Sequence, residues 1–375
     1  MLRKLMFTIA VFLTAQHASA ATPDATVACV QQQLTGLGYG GLKATGKVDA
    51  ATRAAAKAFK SKSSAGAIRA LPVFKLETAV GWCREIAAAH PKTRKHMPSA
   101  QSPIVLAHGG AKSVPHTMVA RAFAETEGFF RRQYGFQSAS RVDVAGSHDI
   151  RELAGFTAEL QRKRRFSSGG IAKGLNKACN QGHSYGGVAY RNQLLVCWPK
   201  PKSLDRKWQR KTSAIVTGIM VHEYMHHAQR ELTNDKFFAS RNYYARRKMG
   251  PAWMVEGTAE VVQFDWLVRR GGIKDPGVGG LITRASKSTK TLRSMHDYGS
   301  VKGGRQYTVA HLAAQLLAER HGERAMFTYW RQIGRGHNWE TAFQAAFKMR
   351  LSDYERLFET LRRDSAKAAA FARGG

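Results

Sequence analysis

The N-terminal part of the chain carries apolar residues at helical spacing. Val27, Val30 and Leu34 fall on one face of a predicted helix, because residues three and four apart share a face. Asp49 precedes an alanine-rich helical segment and is a good candidate for its N-cap. Short helical patterns with turn residues between them therefore predict a small helical unit over residues 27–90.

The rest of the chain mixes helical and extended patterns. Residues 91–103, which include three prolines, are expected to form a linker, and residues 104–375 one larger unit. Strand character is present at 141–144 and 187–198, and Ser213 is expected to cap a long helix. The predicted fold class is α+β, mostly helical, with a short sheet.

The first residues have the pattern of a secretory signal peptide, which we assign to residues 1–20. Arg3 and Lys4 precede an apolar run, and Ala-Ser-Ala at 18–20 is a small-residue cleavage site. The run is too short to span a bilayer, and no later segment reaches the ~20 apolar residues of a spanning helix. A retained N-terminal anchor is the alternative. We expect a periplasmic or secreted protein with no transmembrane segment once the signal is removed.

Export changes the interpretation of the four cysteines. In an oxidising compartment an even number of cysteines indicates disulfides, and four allow three connectivities. Pairing Cys29 with Cys83 and Cys179 with Cys197 keeps each bridge inside one predicted unit, so we favour it. The spacings are not those of a cysteine zinc site.

The chain is strongly basic, with 59 Lys and Arg against 26 Asp and Glu and a formal net charge of +33. For an exported protein this balance predicts polyanionic partners such as cell-wall polymers, anionic lipid headgroups or acidic proteins. Nucleic acid is not expected as a partner. A generally basic, solvated surface without a dedicated anion site is the alternative.

The motif His222-Glu223-Tyr224-Met225-His226 carries the candidate chemistry. Histidines four apart project from one face of a helix, so both rings can reach one zinc ion. The glutamate after the first histidine is placed to take a proton from water. The alternative is a pair of surface histidines on an ordinary helix.

A catalytic zinc ion needs a third protein ligand, and the best candidates lie in the segment from Trp253 to Glu260. If this segment is helical, Glu256 and Glu260 lie on one face, one turn apart. One carboxylate could then bind zinc while the other orients a ligand histidine.

HEYMH followed by WMVEGTAE strongly resembles the gluzincins of the peptidase MA clan, and is closest to the collagenase-like branch. The resemblance implies a mostly helical, zincin-like catalytic domain holding Zn²⁺. It implies that His222, His226 and Glu256 are the zinc ligands, Glu223 the general base and Glu260 a supporting carboxylate.

The peptidase also needs a donor for the oxyanion that forms during peptide hydrolysis. Tyr307 is our candidate, with Tyr298 and His311 as competitors. A set of aromatic residues could line a substrate cleft, although core packing is the more common role at these spacings: Tyr243, Tyr244, Trp253, Phe264 and Trp266.

The N-terminal unit has its own resemblance. The segments Val30 to Tyr39 and Gly46 to Phe59 contain the VQ..L..LGY and G..D..T..A...F patterns of the peptidoglycan-binding type 1 domain. The family often has Phe-Gln where this chain has Phe59-Lys60. The resemblance implies a small three-helix module that binds peptidoglycan, although a divergent copy can serve only as a spacer.

Taken together, the patterns predict an exported zinc metalloendopeptidase that hydrolyses peptide or protein substrates and is targeted to the cell wall. The alternative is a non-catalytic wall-binding protein with a degenerate zincin domain.

Overall fold

The structure is a computed structural model. It describes residues 25–75, 78–96, 103–162, 175–176, 178–180, 183–190, 192–233, 250–275, 277–297 and 299–374. The predicted signal peptide at 1–20 lies outside the described residues, as do Tyr243, Tyr244 and Tyr298.

The N-terminal unit consists of short helices around a core of its own. The helices are α1 (Ala25–Gly36), α2 (Ala50–Lys62), the four-residue α3 (Gly66–Arg69) and α4 (Ala79–Ala89). Asp49 caps α2 as expected, accepting a hydrogen bond from the N–H of Thr52 at 2.7 Å. The Cys29–Cys83 disulfide joins α1 to α4 inside this core.

The beginning of the expected linker is ordered. Pro91–His96 form a 3-10 helix that packs against α1 and α4. The buried side chain of Thr93 donates to the carbonyl of His90 at 2.8 Å, which joins this turn to the end of α4.

The larger unit contains a four-stranded sheet. Its strands are β1 (Val105–Ala107), β2 (Asp143–Ser147), β3 (Gly186–Tyr190) and β4 (Gln193–Cys197), in the order β1-β2-β4-β3. β1, β2 and β4 are parallel, whereas β3 pairs antiparallel with β4 at one edge. The single extended stretch predicted over 187–198 is therefore a hairpin, because a turn at Asn192 returns the chain.

Alternate residues of the central strands serve two different cores. Val144 and Val196 face the main core, whereas Ala145 and Leu195 face a smaller one on the other side of the sheet. The Cys179–Cys197 disulfide lies in this smaller core, so both cysteine pairs are those favoured from the sequence. Period-two burial of this kind is expected for a sheet covered on both faces.

Helices make up most of the larger unit, which confirms the α+β class with a predominance of helix. Those flanking the sheet are α5 (Val114–Tyr134), α6 (Ile150–Arg162) and α7 (Arg206–Leu232). The following helices are α8 (Ala252–Arg269), α9 (Gly277–Ala285), α10 (Gly303–His321), α11 (Arg324–Gly334), α12 (Trp339–Phe347), α13 (Leu351–Leu361) and α14 (Ser365–Ala372). No helix of the described part is long and apolar enough to cross a membrane.

The predicted start of the long helix was wrong. α7 begins at Arg206 rather than after Ser213, because the side chain of Asp205 caps it by accepting from the N–H of Trp208 at 2.8 Å. Ser213 lies inside the helix, where its carbonyl accepts from the hydroxyl of Thr217.

The two units meet at the C-terminal end of α7. A guanidinium nitrogen of Arg84, on α4, donates to the carbonyl oxygen of Glu231 at 3.2 Å. A cation is favourable at this position because the last carbonyls of a helix lack partners and carry partial negative charge. The N-terminal unit thus contacts the helix that carries the HEYMH motif.

Candidate metal centre

The two motif histidines lie in the middle of α7, between the sheet and α8. α7 packs against β3 and β4 on one side and against α8 on the other. His222 and His226 are four residues apart, so their rings are neighbours, with centroids 4.9 Å apart. Both side chains are largely buried.

α8 presents the glutamate that completes the group. Glu256 lies near the beginning of this helix and is followed at once by Gly257. A Cβ at Gly257 would lie 2.3 Å from the carbonyl oxygen of Ala310 on α10, so only glycine allows the two helices to approach this closely. The glycine of the WMVEG segment therefore sets the depth at which Glu256 meets the histidines.

Three ligand atoms converge at this point. Nε2 of His222 and Nε2 of His226 are 3.2 Å apart, and Oε2 of Glu256 lies 3.6 and 3.5 Å from them respectively. Zinc–ligand bonds of about 2.0–2.1 Å in tetrahedral geometry place ligand atoms about 3.3–3.4 Å apart. The triangle therefore fits one face of a zinc tetrahedron, and it leaves the fourth corner for a non-protein ligand. Within the described residues it is the one group of three His, Cys, Asp or Glu side chains with this spacing.

Each histidine has a second polar partner on its other ring nitrogen. Nδ1 of His222 lies 3.5 Å from Oε1 of Glu260, one turn after Glu256 on α8. Nδ1 of His226 lies 2.9 Å from Oε1 of Gln229. Partners of this kind hold an imidazole in one orientation and one tautomer.

Gln229 was missed by the sequence analysis. Its Nε2 donates to the carbonyl of Val255 at 2.9 Å and to the hydroxyl of Thr258 at 2.8 Å. Because a carbonyl can only accept, these contacts fix the amide orientation and leave Oε1 as an acceptor for Nδ1–H of His226. When the imidazole of His226 is neutral, Nε2 is therefore the nitrogen with the free lone pair and is available to a metal ion. The sequence feature that could have indicated Gln229 is its position three residues after His226, which places both side chains on one face of the helix.

Burial and neighbouring charges shift the pKa values of the three converging groups in opposite directions. Burial would raise the pKa of Glu256, but His226 and His222 outweigh it and hold that pKa well below its usual range. Burial would lower the pKa of His226, but the Glu256 carboxylate raises it to about 9. The pKa of His222 is also raised, against its burial, by Glu256 and Glu260. A metal ion at this site would therefore compete with protons for the imidazoles.

Glu223 lies beside the group and close to β3. Burial raises its pKa, while the charges of His222 and His226 and a hydrogen bond from the N–H of Ala189 oppose this rise. A Cβ at Gly187 would lie 2.8 Å from Cγ of Glu223 and 2.5 Å from Cγ2 of Ile219. Glycine in β3 therefore makes room for the glutamate.

Tyr307 lies at the same site, near the beginning of α10. Burial, together with the charges of Glu256, Glu223 and Glu260 and a side-chain interaction with Glu256, raises the pKa of Tyr307 well above the usual range. Its hydroxyl thus stays protonated and able to donate.

The competitor His311 has a different environment. It packs against the ring of Phe264 at 4.3 Å and hydrogen-bonds to Gln315, and burial lowers its pKa to about 3. A neutral, buried histidine in an aromatic contact is a core residue. Trp253 and Trp266 are also buried in the core, so the cleft-lining alternative does not apply to them.

Comparisons with protein-family models, with curated proteins and with solved structures find no match to this chain.

Proposed function

We propose that the protein is an exported, zinc-dependent metallopeptidase whose zinc ligands are His222, His226 and Glu256. The observation that carries this proposal is the triangle of ligand atoms, whose sides of 3.2, 3.5 and 3.6 Å match a tetrahedral zinc site. Bound zinc supplies Lewis-acid activation of water and of a substrate carbonyl. Glu260 and Gln229 orient the two histidines.

Glu223 acts as the general base. It is buried beside the histidines, and its raised pKa brings its proton affinity closer to that needed for proton transfer near neutral pH. It takes the proton of the attacking water and passes it to the nitrogen of the leaving amine.

Tyr307 stabilises the negative charge that develops on the carbonyl oxygen of the scissile bond. Its hydroxyl is held near Glu256 and remains protonated. A donor fixed in place before the reaction needs no reorganisation when the charge appears.

β3 gives the site a means of holding an extended peptide. It is an edge strand of the described sheet, and two of its residues, Gly187 and Ala189, contact Glu223. An extended chain can add to such an edge through main-chain hydrogen bonds. A peptide bound there would pass directly beside the proposed base, which favours peptide-bond hydrolysis over other hydrolytic reactions.

The N-terminal unit is proposed to bind peptidoglycan and to bring the peptidase to the cell wall. Its support is a separate hydrophobic core, the capped α2 and the VQ..L..LGY and G..D..T..A...F patterns. The contact of Arg84 with Glu231 holds this unit beside the catalytic helix.

The first test is the metal content of the purified protein. We expect about one zinc per chain by elemental analysis, and loss of that zinc in Glu256→Ala. Glu319→Gln, an exposed carboxylate on α10, is the matched control and should keep the zinc. A wild-type protein that holds no zinc after reconstitution would refute the proposal.

The second test separates metal binding from catalysis. Glu223→Gln should retain zinc while peptide turnover falls by about 10²-fold or more, because the base is lost but the ligands remain. Undiminished turnover would rule out Glu223 as the base.

Sedimentation with purified peptidoglycan, with proteolysis assayed on the same sample, tests the targeting function. Binding to peptidoglycan without cleavage of any broad peptide library would instead support the non-catalytic alternative.

A further inference from the structure

A strongly basic surface lies between β4 and the first turns of α7, and the metal centre does not use it. Within twelve residues the chain places six exposed cationic side chains, which we call the 200–211 basic surface: Lys200, Lys202, Arg206, Lys207, Arg210 and Lys211.

None of the six cations forms an ion pair with a described residue. The single acidic residue in the segment is Asp205, and its carboxylate is occupied by the N–H of Trp208 and the hydroxyl of Ser203, at 2.8 and 2.7 Å. By contrast, the exposed Arg269 and Arg350 each pair with an aspartate at 2.7 Å. Six cations against the one carboxylate of Asp205 leave the 200–211 basic surface with a net charge of +5 and no ion pair to a described residue.

The position of these cations is unfavourable for the helix itself. Arg206 and Lys207 lie in the first turn of α7, where the helix dipole favours negative charge, and the N-cap Asp205 is the one acidic residue beside them. A local arrangement that opposes a stabilising rule is expected mainly where function requires it. An anionic partner would offset both the dipole and the mutual repulsion of the cations.

The shape of the surface favours a planar partner. Residues 202–207 are all exposed in succession, so a flat partner can reach every one of them. Leu204 lies at its centre with 42% of its surface exposed, and is one of three large hydrophobic residues of the described part that are exposed. Lys202 and Arg206 lie two residues to either side of it. An apolar residue with cations close by suits a membrane interface, where the cations meet headgroups and the side chain enters the acyl boundary.

We propose that the 200–211 basic surface docks the protein on an anionic phospholipid bilayer, with Leu204 entering the interface. α7 then leads away from the headgroups. Arg206 and His222 are sixteen residues apart on it, which corresponds to about 24 Å at 1.5 Å per residue. This docking does not depend on the proposed peptidase activity.

The experiment is sedimentation of the purified protein, starting at Ala21, with phospholipid vesicles. Phosphatidylcholine vesicles are compared with vesicles containing phosphatidylglycerol at one part in four. Each Lys or Arg near an anionic surface contributes about fivefold to partitioning. Lys207→Gln/Arg210→Gln should therefore reduce partitioning into the anionic vesicles about 25-fold.

Controls separate a specific surface from attraction through net charge. Arg363→Gln/Arg373→Gln removes two exposed cations elsewhere in the larger unit and should change partitioning less than about threefold, since charges beyond a Debye length of about 10 Å are screened. Leu204→Ser should weaken binding without changing its salt dependence. Thermal melts of each variant show whether it is folded.

Three results would overturn the proposal. Equal losses in the two double variants would mean that net charge alone drives binding. Equal binding of the wild type to phosphatidylcholine vesicles would exclude recognition of anionic lipid. Vesicle binding that survives Lys207→Gln/Arg210→Gln, while binding to soluble polyphosphate is lost, would assign the surface to a dissolved polyanion.

Discussion

Replacing Gln229 by leucine tests how the site orients His226. The substitution removes the acceptor of Nδ1–H of His226 and both donors to Val255 and Thr258, in a fully buried position. Loss of a partner that orients a ligand histidine weakens metal binding about 10–100-fold. The buried groups left without partners should cost about 2–4 kcal/mol of stability.

The assay is competition for zinc between the protein and a chromogenic chelator, with urea unfolding measured alongside. Thr258→Val is the matched control, because it removes one acceptor of the Gln229 amide and leaves the contact of Gln229 with His226 intact. We expect that control to lose about 1 kcal/mol of stability and to change zinc affinity less than about threefold. The reasoning fails if folded Gln229→Leu binds zinc as tightly as the wild type, or if both variants weaken binding equally.

Three further predictions concern the frame around the site. Gly257→Ala should destabilise the protein by about 1–3 kcal/mol or more in urea unfolding, since the new Cβ would lie 2.3 Å from the carbonyl oxygen of Ala310; an unchanged midpoint would contradict the packing argument. Replacing both Cys179 and Cys197 by serine should cost about 3 kcal/mol for a loop of this length, checked by unfolding under non-reducing conditions, where equal midpoints would show that the bridge adds nothing. Glu231 is buried and hydrogen-bonded, and its pKa is lowered to about 2 against the effect of burial. Its ionised carboxylate therefore stabilises the folded protein above the unfolded pKa near ~4.3, and this stability is lost as the pH falls towards 2. Glu231→Gln should then have a flatter acid unfolding profile, and a profile as steep as that of the wild type would refute this assignment.

The short-range features of this protein could be predicted from its sequence. His222 and His226 share a face because four residues span about one helical turn, and Asp49 caps α2 because its side chain reaches the N–H three residues later. The cysteine pairing followed from keeping each bridge within one unit. The pattern also indicated Glu256 and Glu260, because carboxylates four apart on α8 must face the same way.

Other features depended on contacts between segments distant in the chain. Ser213 was predicted as the helix cap where the structure has Asp205, because both residue types can cap a helix and only the backbone conformation decides which one does. Gln229 is functionally placed only because α8 brings Val255 and Thr258 to its amide. No local sequence pattern predicts that α8 packs against Gln229.

The choice between Tyr307 and His311 shows the same limit. Both lie on α10, four residues apart, and the sequence favoured Tyr307 only by its place near the start of that helix. The structure places the phenol of Tyr307 against Glu256 and packs His311 against Phe264. The sequence determined which chemical groups α7, α8 and α10 carry, since helical periodicity is local. Tertiary packing, through glycines such as Gly257 that allow close contact, decided which of those groups meet.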